Sequence, residues 1–241
     1  MATQHRKQIS TGTTEDPSAE QIRSKKMKRQ RIQKTKKYTV MNVSVVIGAL
    51  LFVALWGIQR QAMATATEVP CLPDCTGQHL SELDMHGSNF VEADLSWANL
   101  YRTDLNNSNL FQTNLSNSNL REAVLYQSDL SLAVLQNADL RYADLRQANL
   151  KNADLRGADL RNAILVGADL RWANLSGAKL ERSQLMDAVL EEANLSNSRL
   201  YRADLRGADL RRAVLRGADL RRTQLDGADF RDADLHEAYL D

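Results

Sequence analysis

The chain has 241 residues, 31 Lys and Arg against 30 Asp and Glu, and a formal net charge of +1. That balance hides two segments of opposite sign: residues 1–37 hold eleven basic residues against three acidic ones, net +8, whereas 80–241 hold nineteen against twenty-five, net −6. The four histidines are scattered and no Ser, Cys or Lys has an evident activating base, so nothing points to an enzyme or to a cofactor.

Residues 1–37 carry almost no apolar clusters, and their composition predicts a disordered basic arm. Tyr38 to Ile58 then run 21 residues without a charge, enough to span a bilayer as a helix. Lys34, Lys36 and Lys37 precede this run and only Arg60 follows it closely, while Tyr38 and Trp56 stand near its ends. Positive flanks stay cytoplasmic and amphipathic rings favour the interface, so the expectation is an uncleaved signal anchor across the lipid bilayer. The remainder then lies outside the cytoplasm, in a periplasm or lumen. A cleaved signal peptide is the rival, because Ala62-Met63-Ala64 and Ala64-Thr65-Ala66 resemble cleavage sites.

Residues 59–79 read as a linker containing both cysteines, Cys71 and Cys75. An oxidising compartment would pair them into a small closed loop. Free thiols are the second reading. A zinc site of Cys71, Cys75, His79 and His86 is the third, although the C-x3-C-x3-H-x6-H spacing is untypical. No lipobox precedes Cys71.

From Leu80 to Leu240 every fifth residue is apolar, over 33 consecutive positions; it is Leu except at Met85, Phe90 and Phe230. From Ser88 onward the residue two places earlier is always Ala, Ser or Thr. A fixed period over such a length means stacked units, hence a solenoid. Five matches neither a helix face nor a strand face. A short extended stretch puts the large residue and the small one on the same side, with the remaining three turned to water. Gly157, Gly167 and Asn107 fill the second place after the apolar residue and suit a left-handed turn. Trp97, Glu122 and Arg182 occupy that place too, which predicts that some corners do without positive φ.

The residue before the central Leu, often Asp, indicates how many units close a coil. Like charges stacked at about 4.8 Å repel by roughly 1 kcal/mol even in water. Three units per coil would stack Asp139, Asp154 and Asp169, and five would stack Asp104, Asp129 and Asp154. With four, no Asp column exceeds two, as in Asp139 over Asp159. The reading is therefore a square coil, about eight coils long and roughly 40 Å in length. Such an array needs attention at its ends, and the last coil is expected to fray, to be covered, or to associate end to end with another copy.

Ala-Asp-Leu-Arg-Gly, at 153–157 and again at 203–207, resembles the A(D/N)LXX unit of the pentapeptide-repeat family, and the likeness covers residues 80–241. It implies an all-β right-handed quadrilateral β-helix, in agreement with four units per coil. It does not specify function, since some members are scaffolds and some guard DNA gyrase. The gyrase-guarding relatives resemble DNA through a strongly acidic rod and tend to dimerise through a C-terminal helix. Here Arg121, Arg141 and Arg161 stack in one column, Arg146, Arg156, Arg171, Arg206, Arg211 and Arg216 lie on other faces, and no residues remain for such a helix.

The repeated Asp residues read as solvated surface positions. Trp97, Tyr101, Phe111, Tyr126, Tyr142, Trp172 and Tyr201 fall in the two outward places after the central residue. Val166 and Met186, twenty residues apart, stack beside Ile164. These outward groups read either as scattered surface apolar residues, which are normal, or, for Ile164, Val166, Met186 and Trp172, as a candidate interaction patch. The expectation is a membrane-anchored, non-enzymatic structural or protein-interaction scaffold with an unnamed protein partner and no nucleic acid. The alternative is a topoisomerase regulator acting by DNA mimicry.

Overall fold

The computed structural model describes Val69 and residues 71–240. The basic arm at 1–37 and the apolar run at 38–58 lie outside the described residues, as does most of the linker before Cys71. Among the described residues no helix is long and apolar enough to cross a membrane.

Every residue that precedes a central apolar residue forms a parallel bridge with the residue twenty places on, from Asp74↔Asp94 to Asp219↔Tyr239. Twenty residues are four units, so each coil has four sides. The first side carries the bridges of Asp74 and Asp94, the second those of His79 and Asn99, the third Asp84 and Asp104, the fourth Asn89 and Asn109. Asp139 lies against Asp159 and Asp209 against Asp229, and no column of Asp is longer than two.

One unit shows how the chain makes a corner. Leu95 N–H donates to the Asn114 carbonyl of the next coil at 2.7 Å, and Asn114 N–H returns to the Ala93 carbonyl at 2.9 Å. Trp97 N–H donates to the Ser116 carbonyl at 3.0 Å, and Ala98 N–H closes the turn on the Leu95 carbonyl at 3.1 Å. Ser96 N–H reaches Oδ1 of Asp94 at 2.9 Å, and the fifth donor, Asp94 N–H, reaches the Pro73 carbonyl of the preceding coil at 2.8 Å. Every N–H of the unit is thus satisfied, as a tightly packed backbone requires.

The second residue after each central one has positive φ without exception, from Gly77 to Glu237. With the four-residue turn bond this is type II geometry. It overturns the expectation for the bulky corners: Trp97, Glu122 and Arg182 have φ of 62°, 59° and 59°. A left-handed corner costs roughly 1–2 kcal/mol for a residue with a Cβ. The ladder imposes it nonetheless, because only that turn carries the corner N–H to the coil above while keeping Leu inside.

The interior is a stack of Leu side chains, fully buried from Leu95 to Leu140, with Ala at the adjoining places also shut from water. Where Ser or Thr replaces that Ala, most hydroxyls find a carbonyl, as Thr103 Oγ1 donates to Leu80 O at 2.6 Å and Ser108 Oγ to Leu105 O at 2.6 Å, while the buried Ser88 and Ser198 hydroxyls find none among the described residues. Those bonds remove most of the cost of burying a hydroxyl. The two ends differ. Val69 joins the core beside Cys75, Leu80 and Met85, whereas Leu225, Phe230 and Leu235 are only partly buried and Leu240 is 54% exposed.

Candidate functional site

The outer surface is built from three places per unit: the bridge residue and the two corner residues. At the bridge place, every Asp and Asn accepts the N–H of the residue two places on. Asp159 does so for Arg161, Asn174 for Ser176 and Asp234 for His236. A side-chain oxygen here does what an Asx turn does, supplying an acceptor that the backbone lacks.

When the first corner residue is Arg, its guanidinium grips the same carboxylate. Arg161 places Nε 2.8 Å from Asp159 Oδ1 and Nη2 2.5 Å from Oδ2. The same two-pronged clip joins Arg141 to Asp139, Arg146 to Asp144, Arg171 to Asp169 and Arg211 to Asp209. This corrects the reading of the repeated Asp as solvated positions: the Asp159 side chain is 16% exposed. Burial pushes the Asp144 and Asp159 carboxyls up, and the bonds from Arg146 and Arg161 outweigh it and hold both below the ordinary carboxylate range. At Asp204, Asp209 and Asp219 the Arg bond is the larger influence. Asp229, gripped by Arg231, is lowered to about 2.

Cys71 and Cys75 are joined to each other, with their Cα atoms 4.9 Å apart. His79 forms a bridge with Asn99 on the second side. His86 lies at the third corner, its Nδ1 2.6 Å from Asp84 Oδ1, a bond that raises the imidazole above its ordinary pKa. Among the described residues no group of His, Cys, Asp and Glu gathers around a metal-sized site.

Ile164 lies on the third side, bridging Asp144 below and Gln184 above. Val166 and Met186 hold the same place at the third corner in consecutive coils, and Gly167 N–H donates to the Met186 carbonyl. Trp172 stands at the next corner, 48% exposed, its Nε1 donating to Glu192 Oε2 at 3.1 Å beneath the Arg171 guanidinium. Ile164 and Gln184 break the bridge pattern in consecutive coils, so the N–H groups of Val166 and Met186 have no protein acceptor among the described residues. Sequence reasoning found these side chains by their polarity. It missed the capping role of Asp and Asn, although the alternation of those two residues at one place was the available signal: they share an acceptor oxygen and differ in charge.

Residues 71–240 therefore form a four-sided β-solenoid whose corners are type II turns. Pentapeptide repeats match the chain in eight copies, over residues 74–107, 108–141, 128–167, 168–207 and 208–241. The chain belongs to the pentapeptide-repeat family, whose members form right-handed quadrilateral β-helices. Among solved structures it is similar to full-length QnrB1, described as a plasmid-mediated fluoroquinolone resistance protein, with 24% identity, a TM-score of 0.53 and coverage of 70% of this chain and 91% of that one. It is also similar to HetL of the cyanobacterium Nostoc sp. strain PCC 7120, a pentapeptide repeat protein involved in heterocyst differentiation regulation. That likeness has 32% identity over 68% of this chain and 90% of that one, with a TM-score of 0.24. Comparison with curated proteins returns no match.

Proposed function

We propose that the chain is a non-enzymatic scaffold, anchored in a membrane by residues 38–58, that presents its solenoid outside the cytoplasm to a protein partner. The supporting observation is the break in the capping pattern at Ile164 and Gln184. Along most of the rod the outward polar groups are occupied by the repeat itself. At Val166 and Met186 apolar side chains and two uncapped backbone donors come together in adjacent coils. A partner offering apolar contact and carbonyl acceptors fits that edge.

A photo-crosslinking residue placed at Met186 in the intact membrane protein tests the patch, with the exposed corner Gln112 as the control. The expected result is a discrete adduct from position 186, none from 112, and its loss in Val166→Asp. Equal crosslinking from both positions rules the patch out. Topology is tested by a reporter that works only outside the cytoplasm, fused at Asp241, and an inactive reporter in an expressed fusion overturns the anchor. The alternative, a regulator of a topoisomerase by DNA mimicry, has the fold shared with QnrB1 in its support. A supercoiling assay in which the chain fails to inhibit the enzyme rules it out.

A further inference from the structure

The arginines of the repeat are almost all held by carboxylates. Nine are clipped by the Asp two places earlier, as Arg156 and Arg206 are. Others reach across to the neighbouring coil, as Arg102 does to Glu122, Arg199 to Glu181 and Arg212 to Glu192. Arg182 and Arg202 form no ion pair among the described residues, and they are stacked on each other. They hold the same corner place in consecutive coils, with φ of 59° and 60°. Beside them on the second side, Lys179 and Arg199 are bridge partners. Two consecutive coils thus gather four cations on one edge. Glu181 lies among them, its side chain 14% exposed and bound by Arg199 Nε at 2.9 Å, and Asp159 and Asp219 flank the group as the outer bridge partners of Lys179 and Arg199.

The backbone adds donors at the same place. Lys179 and Arg199 cannot cap, so the N–H groups of Glu181 and Tyr201 have no acceptor among the described residues. The Tyr201 ring lies under the Arg202 guanidinium, 5.2 Å from its carbon. Within a repeat of net charge −6, this edge is a local excess of cations and free backbone donors.

We propose that this edge, Lys179, Arg182, Arg199 and Arg202 around Tyr201, docks a helical protein segment bearing a row of carboxylates. Charge complementarity fixes the sign of the partner, and spacing selects its form. Cations in consecutive coils rise by about 4.8 Å. Carboxylates on one face of an α-helix rise by about 5.4 Å per turn, a mismatch of roughly 0.6 Å that a long Arg side chain absorbs. Same-face residues of an extended strand are about 6.7 Å apart, and phosphates along one strand of a DNA duplex advance by about 3.4 Å, both worse matches. This inference concerns a different edge from the patch at Val166 and Met186 and stands without it.

Fluorescence anisotropy on the full chain tests the proposal with three labelled probes. One is a helical peptide with Glu along a single face, the second has the same composition with Glu dispersed around the helix, and the third is an oligonucleotide duplex. The expected order is the one-faced peptide first, with affinity falling steeply as salt rises. Arg182→Gln with Arg202→Gln is expected to weaken it about five- to tenfold. Arg156→Gln with Arg206→Gln, which removes clipped arginines, is expected to change it less than about twofold. Removing two stacked like charges leaves the melting temperature of the first variant unchanged or raised, so a loss of binding is not a loss of fold. Arg182→Glu with Arg202→Glu should in turn accept a one-faced Lys peptide. Equal binding of the two Glu peptides, tighter binding of the duplex, or no effect of the Arg182 and Arg202 changes overturns the proposal.

Discussion

At the residue scale, the bridge Asp has two separable tasks: it accepts a backbone N–H and it holds an Arg. Asn performs the first task without the second, as Asn174 and Asn194 do for Ser176 and Ser196. Asp159→Asn should therefore cost little, about 1 kcal/mol, because the Arg161 end of this part-buried pair stays open to water. Asp159→Ala also strands the Arg161 N–H and should cost about 1–2 kcal/mol more. Urea denaturation of both variants checks this, and equal losses would show that the charge alone matters. The corner makes a second residue-scale claim. Gly177 has φ of +68° and open space where a Cβ would lie. Gly177→Ala should cost about 1 kcal/mol from the backbone alone. A stabilised variant would contradict the left-handed corner.

At the scale of one unit, five residues fold by a division of labour that was only half visible in the chain. The central Leu and the small residue were legible because burial leaves a strong compositional mark. Leu160 is fully buried, so Leu160→Arg places an unpaired charge on the axis and should unfold several coils. Arg161→Leu leaves the core intact and should lower the melting temperature far less. Equal shifts in a thermal scan would refute the inward and outward assignment. The corners were legible in place but not in conformation. Propensity argues against Trp97 or Arg182 at positive φ, and the ladder decides the matter through bonds to residues nineteen places away. The acidity of the bridge place was read as repulsion between stacked carboxylates. The four-sided count followed, yet Asp139 and Asp159, bridge partners, each carry their own arginine. The clip itself spans only two residues, and the register of Arg182 over Arg202 follows from the same twenty-residue interval that placed Val166 beside Met186; what the fold adds is which arginines lack a carboxylate among the described residues.

At the scale of the whole rod, the clips make stability a function of pH. Asp204, Asp209, Asp219 and Asp229 are all held below the ordinary value, so each binds its proton less well in the folded chain than in the unfolded one. Their stabilisation is complete above the unfolded carboxylate pKa near 4 and is lost as pH falls through the lower folded values. The melting temperature should be flat from about pH 5 to 6 and decline steadily between about 4 and 2, with a small separate loss on the alkaline side as pH rises through the raised value of His86. A midpoint of loss above pH 5 would mean that other groups govern the transition.

The bridge interval of twenty residues gives the molecule a phase as well as a length. Removing residues 121–140 excises one full turn, and every later side chain keeps its compass bearing while the top of the rod descends by about 4.8 Å. Removing five residues preserves the hydrophobic pattern equally well but turns everything beyond the cut through a quarter revolution. A partner that grips two distant points on one edge would tolerate the first change and lose its hold after the second.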